Sequence, residues 1–368
     1  MKMNKFFFTT AVAAVFLTGC TNDDENSMDP TTPEVELLPY ENGTLVLNEG
    51  NFMTGNASAS FVARDSINAQ QDIFATVNSI DAWGDTAQSM AFDGDTAYIV
   101  VNGSQKVEVV NRFTFESLAT IGGTDQPDFL NPRYMDIANG KGYVTNWGDG
   151  TDPDDDFIAI VNLESNTVES TIPIAEGPER ILAVGNTLYV ALQGGFNFNN
   201  DVVVIDATSN SVTTTIEVGD GPNSLQLDDD GNLWVLSGGK PAFTQDETAG
   251  QLDKIDLTSN EVVGSFSFEA TEHPGYLSHE NGNLYYSLAG DVFNMGTTDT
   301  ELPEEASISG TAFYDMTVND GKLYGADAKD FSSNGSLEIY DLSDNTLLNS
   351  VEVGINPGSI YFNGAAGQ

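Results

Sequence analysis

Residues 177–195, GPERILAVGNTLYVALQGG, and 201–221, DVVVIDATSNSVTTTIEVGDG, form a unit that starts again at once as GPNSLQLDDDGNLWVLSGG at 221–239 and QLDKIDLTSNEVVGSFSF at 251–268. Pro132, Pro178, Pro222 and Pro274 recur at spacings of roughly 44 to 52 residues, the length that four short antiparallel strands and their turns consume. Within the unit that begins at Pro178, Ile, Val, Tyr and Thr alternate over short runs bounded by turn residues. They predict strands over 180–184, 187–192, 201–206 and 211–218. No stretch carries convincing helical periodicity, and a single four-stranded unit cannot bury both of its apolar faces. Each unit therefore reads as one blade of a β-propeller.

Blades begin near Gln88, Pro132, Pro178, Pro222, Pro274 and Ala312. The ends supply a seventh. Pro357 starts an opening strand, PGSIYFNG, that nothing follows, while GTLVLNEGN at Gly43 starts a unit that lacks its opening strand. Pairing the two closes the ring and leaves no free edge. The expected fold is all-β, a seven-bladed propeller of four-stranded antiparallel blades over 43–368, closed by the C-terminal strand.

Before the ring, Lys2 and Lys5 precede an apolar run from Phe6 to Leu17, the pattern of a secretory signal over 1–19. Leu17-Thr18-Gly19-Cys20 resembles the bacterial lipobox, which implies cleavage before Cys20 and lipidation of its thiol. The polar, acidic, Pro-containing stretch that follows reads as a flexible tether over 20–42. Its Asn22-Asp23-Asp24-Glu25 resembles the surface-export signal of lipoproteins in the Bacteroidetes, although a solvated tether would look similar. The expected location is the outer membrane, lipid-anchored and facing outward. No later apolar run is long enough to span a bilayer.

Twelve Lys and Arg face 56 Asp and Glu, a formal net charge of −44. Such a chain repels phosphate backbones, which excludes nucleic acid as a partner. It leaves room for cations. The run Asp149, Asp152, Asp154 and Asp156 could gather oxygen ligands around Ca²⁺, but it lacks the spacing of an EF-hand loop, and a solvated acidic loop looks the same.

Turn length separates two faces of the ring. Connections such as Gly185-Asn186 and Thr258-Ser259-Asn260 are minimal hairpins that need no functional explanation. Connections between second and third strands are longer, starting at Asn146, Gln193, Ser237, Ala289 and Ala326. They carry Trp147, Phe196, Phe198, Phe243, Phe293 and Phe331 beside several glycines, and they read as a recognition surface. Two places after each repeat's Pro position stand Ser89, Tyr134, Arg180, Ser224, Tyr276, Tyr314 and Ser359. This set should ring the channel mouth, either as flat surfaces and hydrogen-bond donors for a large polar ligand or as channel lining.

Tyr143-Val144-Thr145-Asn146 resembles the signature of the YVTN bacterial surface propellers, and Leu45 to Phe52, LVLNEGNF, is similar to the opening strand of Bacteroidetes surface propellers that include the BtuG-type cobalamin-capture group. That resemblance implies corrinoid binding and transfer to a TonB-dependent outer-membrane transporter. A protein-binding or adhesive propeller is the alternative. Enzymatic readings have less behind them: the adjacent cysteine pair of propeller quinoproteins is absent, and a propeller lactonase or lyase would have only His273 and His279 to work with. The expectation is a binding protein without catalytic residues.

Overall fold

The computed structural model describes residues 37–80, 83–123 and 128–364. Cys20, the signal segment and the tether as far as residue 36 lie outside them. The innermost strands of the seven blades are Ala87–Asp93, Pro132–Ala138, Pro178–Val184, Pro222–Leu227, Gly275–Glu280, Phe313–Asn319 and Pro357–Asn363. Each touches the next around a closed circuit, and the last returns to the first.

In the blade at Pro178 the strands run Pro178–Val184, Thr187–Leu192, Asp201–Asp206 and Ser211–Glu217, within two residues of the reading from alternation. Closure is as expected. Gly43–Asn48 pairs on one side with Ser58–Ala63 and on the other with Pro357–Asn363, which sets Leu45 opposite both Phe61 and Tyr361. Five blades have four strands. In the closing blade the fourth position shrinks to one bridge between Phe61 and Gln70, and in the blade at Gly275 to one between Val292 and Ile308. A short α-helix, Ile73–Asn78, which the sequence pattern does not predict, follows the first of these bridges and buries Ile73 and Phe74. Phe74 stacks on Trp83 at 4.8 Å.

Seven apolar clusters fill the seven junctions between blades. One joins Tyr143, Ile158 and Ile160 of one blade to Leu188, Val190 and Ile205 of the next. Each such side chain contributes roughly 1.5–3 kcal/mol when taken out of water, so the ring is held by its junctions. Tyr40, placed by sequence in the tether, belongs to this core: it is 6% exposed and packs edge-on against Phe61 and Phe115. The folded unit thus begins before Gly43.

Candidate functional site at the channel mouth

One repeated device builds the mouth. The residue before five of the seven inner strands, Thr86, Asn131, Gly177, Gly221 and Asn356, takes a left-handed backbone, and its carbonyl accepts an N–H from the first residue beyond the blade's second strand. The pairs are Asn102 to Thr86, Trp147 to Asn131, Gln193 to Gly177, Gly238 to Gly221 and Glu49 to Asn356, all at 2.8–3.1 Å. In these five blades the chain leaving the second strand is thereby stapled to the start of the inner strand. At Gly177 the approach is so close that an added Cβ would lie 2.1 Å from the backbone nitrogen of Gly195, so only glycine fits. Each inner strand then carries a register shift within its first residues, between Pro178 and Ile181 for example. A bulge at that point re-aims the side chains beside it.

The result is an open cavity of about 740 Å³ at the centre of the long-loop face. Of the sequence-predicted residues it takes in Tyr134, Arg180, Tyr276, Tyr314, Trp147 and Phe198. The three serines do not form its wall. Ser89 Oγ donates to the carbonyl of Arg133, Ser359 Oγ donates to that of Gln88, and Ser224 Oγ accepts the N–H of Leu277. All three are buried staples between neighbouring blades, because the bulge turns these short side chains sideways. Ser224 and Ser359 border only a smaller cavity, about 180 Å³, deeper in the channel.

Phe293 is likewise displaced from the expected surface. The Ala289 connection is a tight hairpin, Asp291–Gly296 is a paired strand, and Phe293 stacks on Tyr286 at 5.7 Å. Phe196 and Phe331 stand at the rim, 59% and 55% exposed, edge-on to Trp147 and Tyr314. Phe243, 80% exposed, stands clear of the cavity wall.

Sequence reasoning missed the residues one place after the Pro position and those at the loop roots. Gln88, Arg133, Glu179 and Asn223 line the cavity from the first set, and Glu49, Asn102 and Gln193 from the second. The signal was the repeat itself, read one position off. Arg133 forms a fork with both oxygens of Glu179 at 2.8 and 2.9 Å, donates to Gln88 Oε1 at 2.7 Å and lies 4.1 Å over the Trp147 ring. Charged, bidentate bonds of this kind are the strong ones. The Arg180 guanidinium lies 4.1 Å over the Tyr134 ring, while the Tyr134 hydroxyl accepts from Gln88 Nε2 at 3.3 Å. Tyr314 donates to Glu49 Oε2 at 3.2 Å, and burial pushes the Glu49 carboxyl above the usual range. Below, burial raises Asp315 to about 6 even though Arg180 pulls the other way. Trp147 Nε1 and Asn356 Oδ1, both from cavity-lining residues, are buried with no partner among the described residues.

The acidic loop spends its carboxylates locally. Asp149 Oδ1 accepts from the backbone and hydroxyl of Thr151, and Asp152 accepts the N–H of Asp154. Asp156 is drawn inward, 3% exposed, to the N–H of Gly177, and burial raises it to about 6. Among the described residues no three His, Cys, Asp or Glu side chains converge as a metal site. His273 lines the cavity, its Nδ1 2.8 Å from the Gly238 carbonyl and its Nε2 3.3 Å from Glu247. His279 lies on an inner strand, with Nε2 3.8 Å from Asp229.

Comparison with solved structures returns the fold. A quinoprotein alcohol dehydrogenase-like protein of Bacteroides thetaiotaomicron superposes with a TM-score of 0.63 at 16% identity, covering 88% of this chain and 78% of that one. A functionally unknown protein from Desulfotomaculum acetoxidans gives 0.63 at 13% identity, covering 88% and 100%. Hydrazine synthase of Kuenenia stuttgartiensis gives 0.53 at 18% identity, covering 76% and 92%. At such identities the likeness is one of architecture, and architecture does not carry function. No curated protein matches the sequence. The family described as a domain of unknown function, DUF5074, matches residues 42–306, most of the ring, and the chain belongs to that family.

Proposed function

We propose that the mouth cavity captures a large, polar-edged small molecule, a corrinoid such as cobalamin, and that the protein holds it outside the cell for a TonB-dependent outer-membrane transporter. Lipidation at Cys20 would tether the ring to the membrane. One observation carries the reading: flat aromatic surfaces of Trp147, Phe198, Tyr134, Tyr276 and Tyr314 converge with amide and charged groups on one open cavity. Its volume, about 740 Å³, suits an organic ligand of substantial size, and mostly preformed pockets with a few placed polar groups are how such ligands are held. We assign the site no chemical step.

Titration calorimetry with cobalamin tests this. Binding is expected for the intact protein and at least tenfold weaker for Tyr276→Ala or Tyr314→Ala, since a buried aromatic anchor is worth about 2 kcal/mol or more. Absence of heat with well-folded protein would remove the corrinoid from the reading. Protein capture is the second reading, favoured by Phe52, Met53 and Phe243, which stand 79–81% exposed on the same loops. A macromolecular partner would lose affinity on Phe243→Ala; a ligand confined to the cavity would not.

A further inference from the structure

Five charged groups face one another around the channel: Arg133 and Arg180 against Glu49, Glu179 and Asp315. Four of the five have their hydrogen bonds assigned. Arg133 and Glu179 are forked together, Glu49 accepts from Tyr314, and Asp315 takes the backbone N–H groups of Met316 and Ile360. Arg180 differs. Its guanidinium is held flat against Tyr134, 4.1 Å from the ring, yet among the described residues no hydrogen bond or ion pair to the protein engages its donors. It borders both the mouth cavity and the smaller one beneath it, as does Tyr276.

A guanidinium has five donors and no acceptor, in a planar fork that matches the oxygens of a carboxylate or a phosphate. Stacking on Tyr134 fixes the plane of that fork before anything binds, so little side-chain freedom remains to be lost when an anion arrives. The surroundings are selective as well. Glu49, Glu179 and Asp315 oppose negative charge everywhere except against the guanidinium itself, so an anionic group is favoured only where it meets Arg180 directly.

We infer that Arg180 forms an oxyanion subsite at the floor of the mouth cavity and that the captured molecule is one bearing a carboxylate or phosphate group that reaches down to it. This rests on the capture reading and adds to it the chemical class of the ligand and the residue that selects it. Arg180 binds and orients; no bond is made or broken.

Side-chain ¹⁵N NMR of the arginine guanidinium groups tests the subsite directly, with inorganic phosphate and acetate as probes. A saturable shift of the Arg180 resonance is expected in the intact protein; read from the probes themselves, the ³¹P signal of phosphate and the ¹³C signal of acetate should lose their response in Arg180→Gln, with Arg180→Lys keeping a weaker phosphate response and losing that to acetate. No shift of the Arg180 signal with either probe, or the same ³¹P response to phosphate in Arg180→Gln, would overturn it. A second arm compares cobalamin, which has a phosphodiester in its nucleotide loop, with cobinamide, which lacks that loop. Arg180→Gln should weaken cobalamin at least tenfold and leave cobinamide within about twofold. Equal effects on both overturn the subsite while leaving corrinoid capture standing. Binding of phosphate at Arg180 without binding of either corrinoid does the reverse.

Discussion

The two faces of the ring are made from the same strands and yet differ in what they leave unfinished. On the short-turn face the hairpins bond mainly within themselves, although Asn166 Oδ1 is buried with no partner among the described residues. Asn166, Asn210, Asn260 and Asn345 take left-handed backbones at equivalent turns, and Asp228 accepts from Asn232 and from Trp234 Nε1. Arg64 meets Asp320 across the surface at 2.6 Å, both more than half exposed. On the long-loop face, among the described residues, the Arg180 guanidinium has no protein acceptor, and Phe196, Phe243 and Phe331 stand out into solvent. The contrast is one of degree: short hairpins bond mainly within themselves, while the long-loop face keeps a stacked guanidinium and exposed aromatic rings open to contact.

The comparison can be broken from its strongest point downward. Removing 357–368 takes away the inner strand that runs through both faces and bares an edge of Gly43–Asn48. Loss of cooperative unfolding or aggregation is expected in thermal melts; an unchanged melt would contradict a closed ring. Glu179→Ala comes next. It leaves Arg133, 17% exposed, without its carboxylate, and denaturant unfolding should show a loss of about 3–5 kcal/mol. A loss under about 1 kcal/mol would mean that the pair is not the beam on which the mouth rests.

The third is a pH effect. Asp156 and Asp315 both titrate at about 6 in the folded chain, above the ordinary 3.8, because burial disfavours their charged forms. Between those values the folded chain holds protons that the unfolded chain has released. Stability from these groups is therefore greatest below about pH 4 and declines as pH rises through 6. Asp228 runs the other way: hydrogen bonds from Asn232 and Trp234 overcome its burial and hold it near 2, so its contribution is present above pH 4 and lost toward pH 2. Melting temperature is expected to peak near pH 4. Neutralising surface carboxylates relieves self-repulsion in the same direction, so the distinguishing measurement is Asp315→Asn, which should flatten part of the slope between pH 4 and 6. The smallest effect belongs to the short-turn face. Asn186→Ala should change stability by less than about 0.5 kcal/mol and leave ligand affinity alone; a measurable loss of affinity would erase the distinction between the faces.

Strand order, blade number and closure were legible because a repeat averages over its own noise: a weak alternation seen several times becomes a strong one. The loop faces were legible for the same reason, since turn length repeats as well. What escaped was local. The bulge at each inner strand moves side chains by one position, which hid Arg133 and Glu179 and turned Ser89, Ser224 and Ser359 into staples. Phe293 was lost to a hairpin of only Ala289 and Gly290, whose two positive φ angles of 53° and 84° no periodicity announces. Tyr40 escaped because a single aromatic in an acidic stretch has no neighbours of its own; its partners, Phe61 and Phe115, lie far along the chain.

Pairing of Leu45 with Tyr361 also sets an order in time. A chain made from its N-terminus exposes Gly43–Asn48 among the first strands and delivers Pro357–Asn363 among the last, so the closing blade waits for almost the whole of synthesis and any export step. Until then the ring is an open arc with two sticky ends, and a passing extended segment can occupy the place reserved for the final strand. Contacts at such separation in sequence form slowly. The latch that closes the finished ring is thus also the last piece of it to be made.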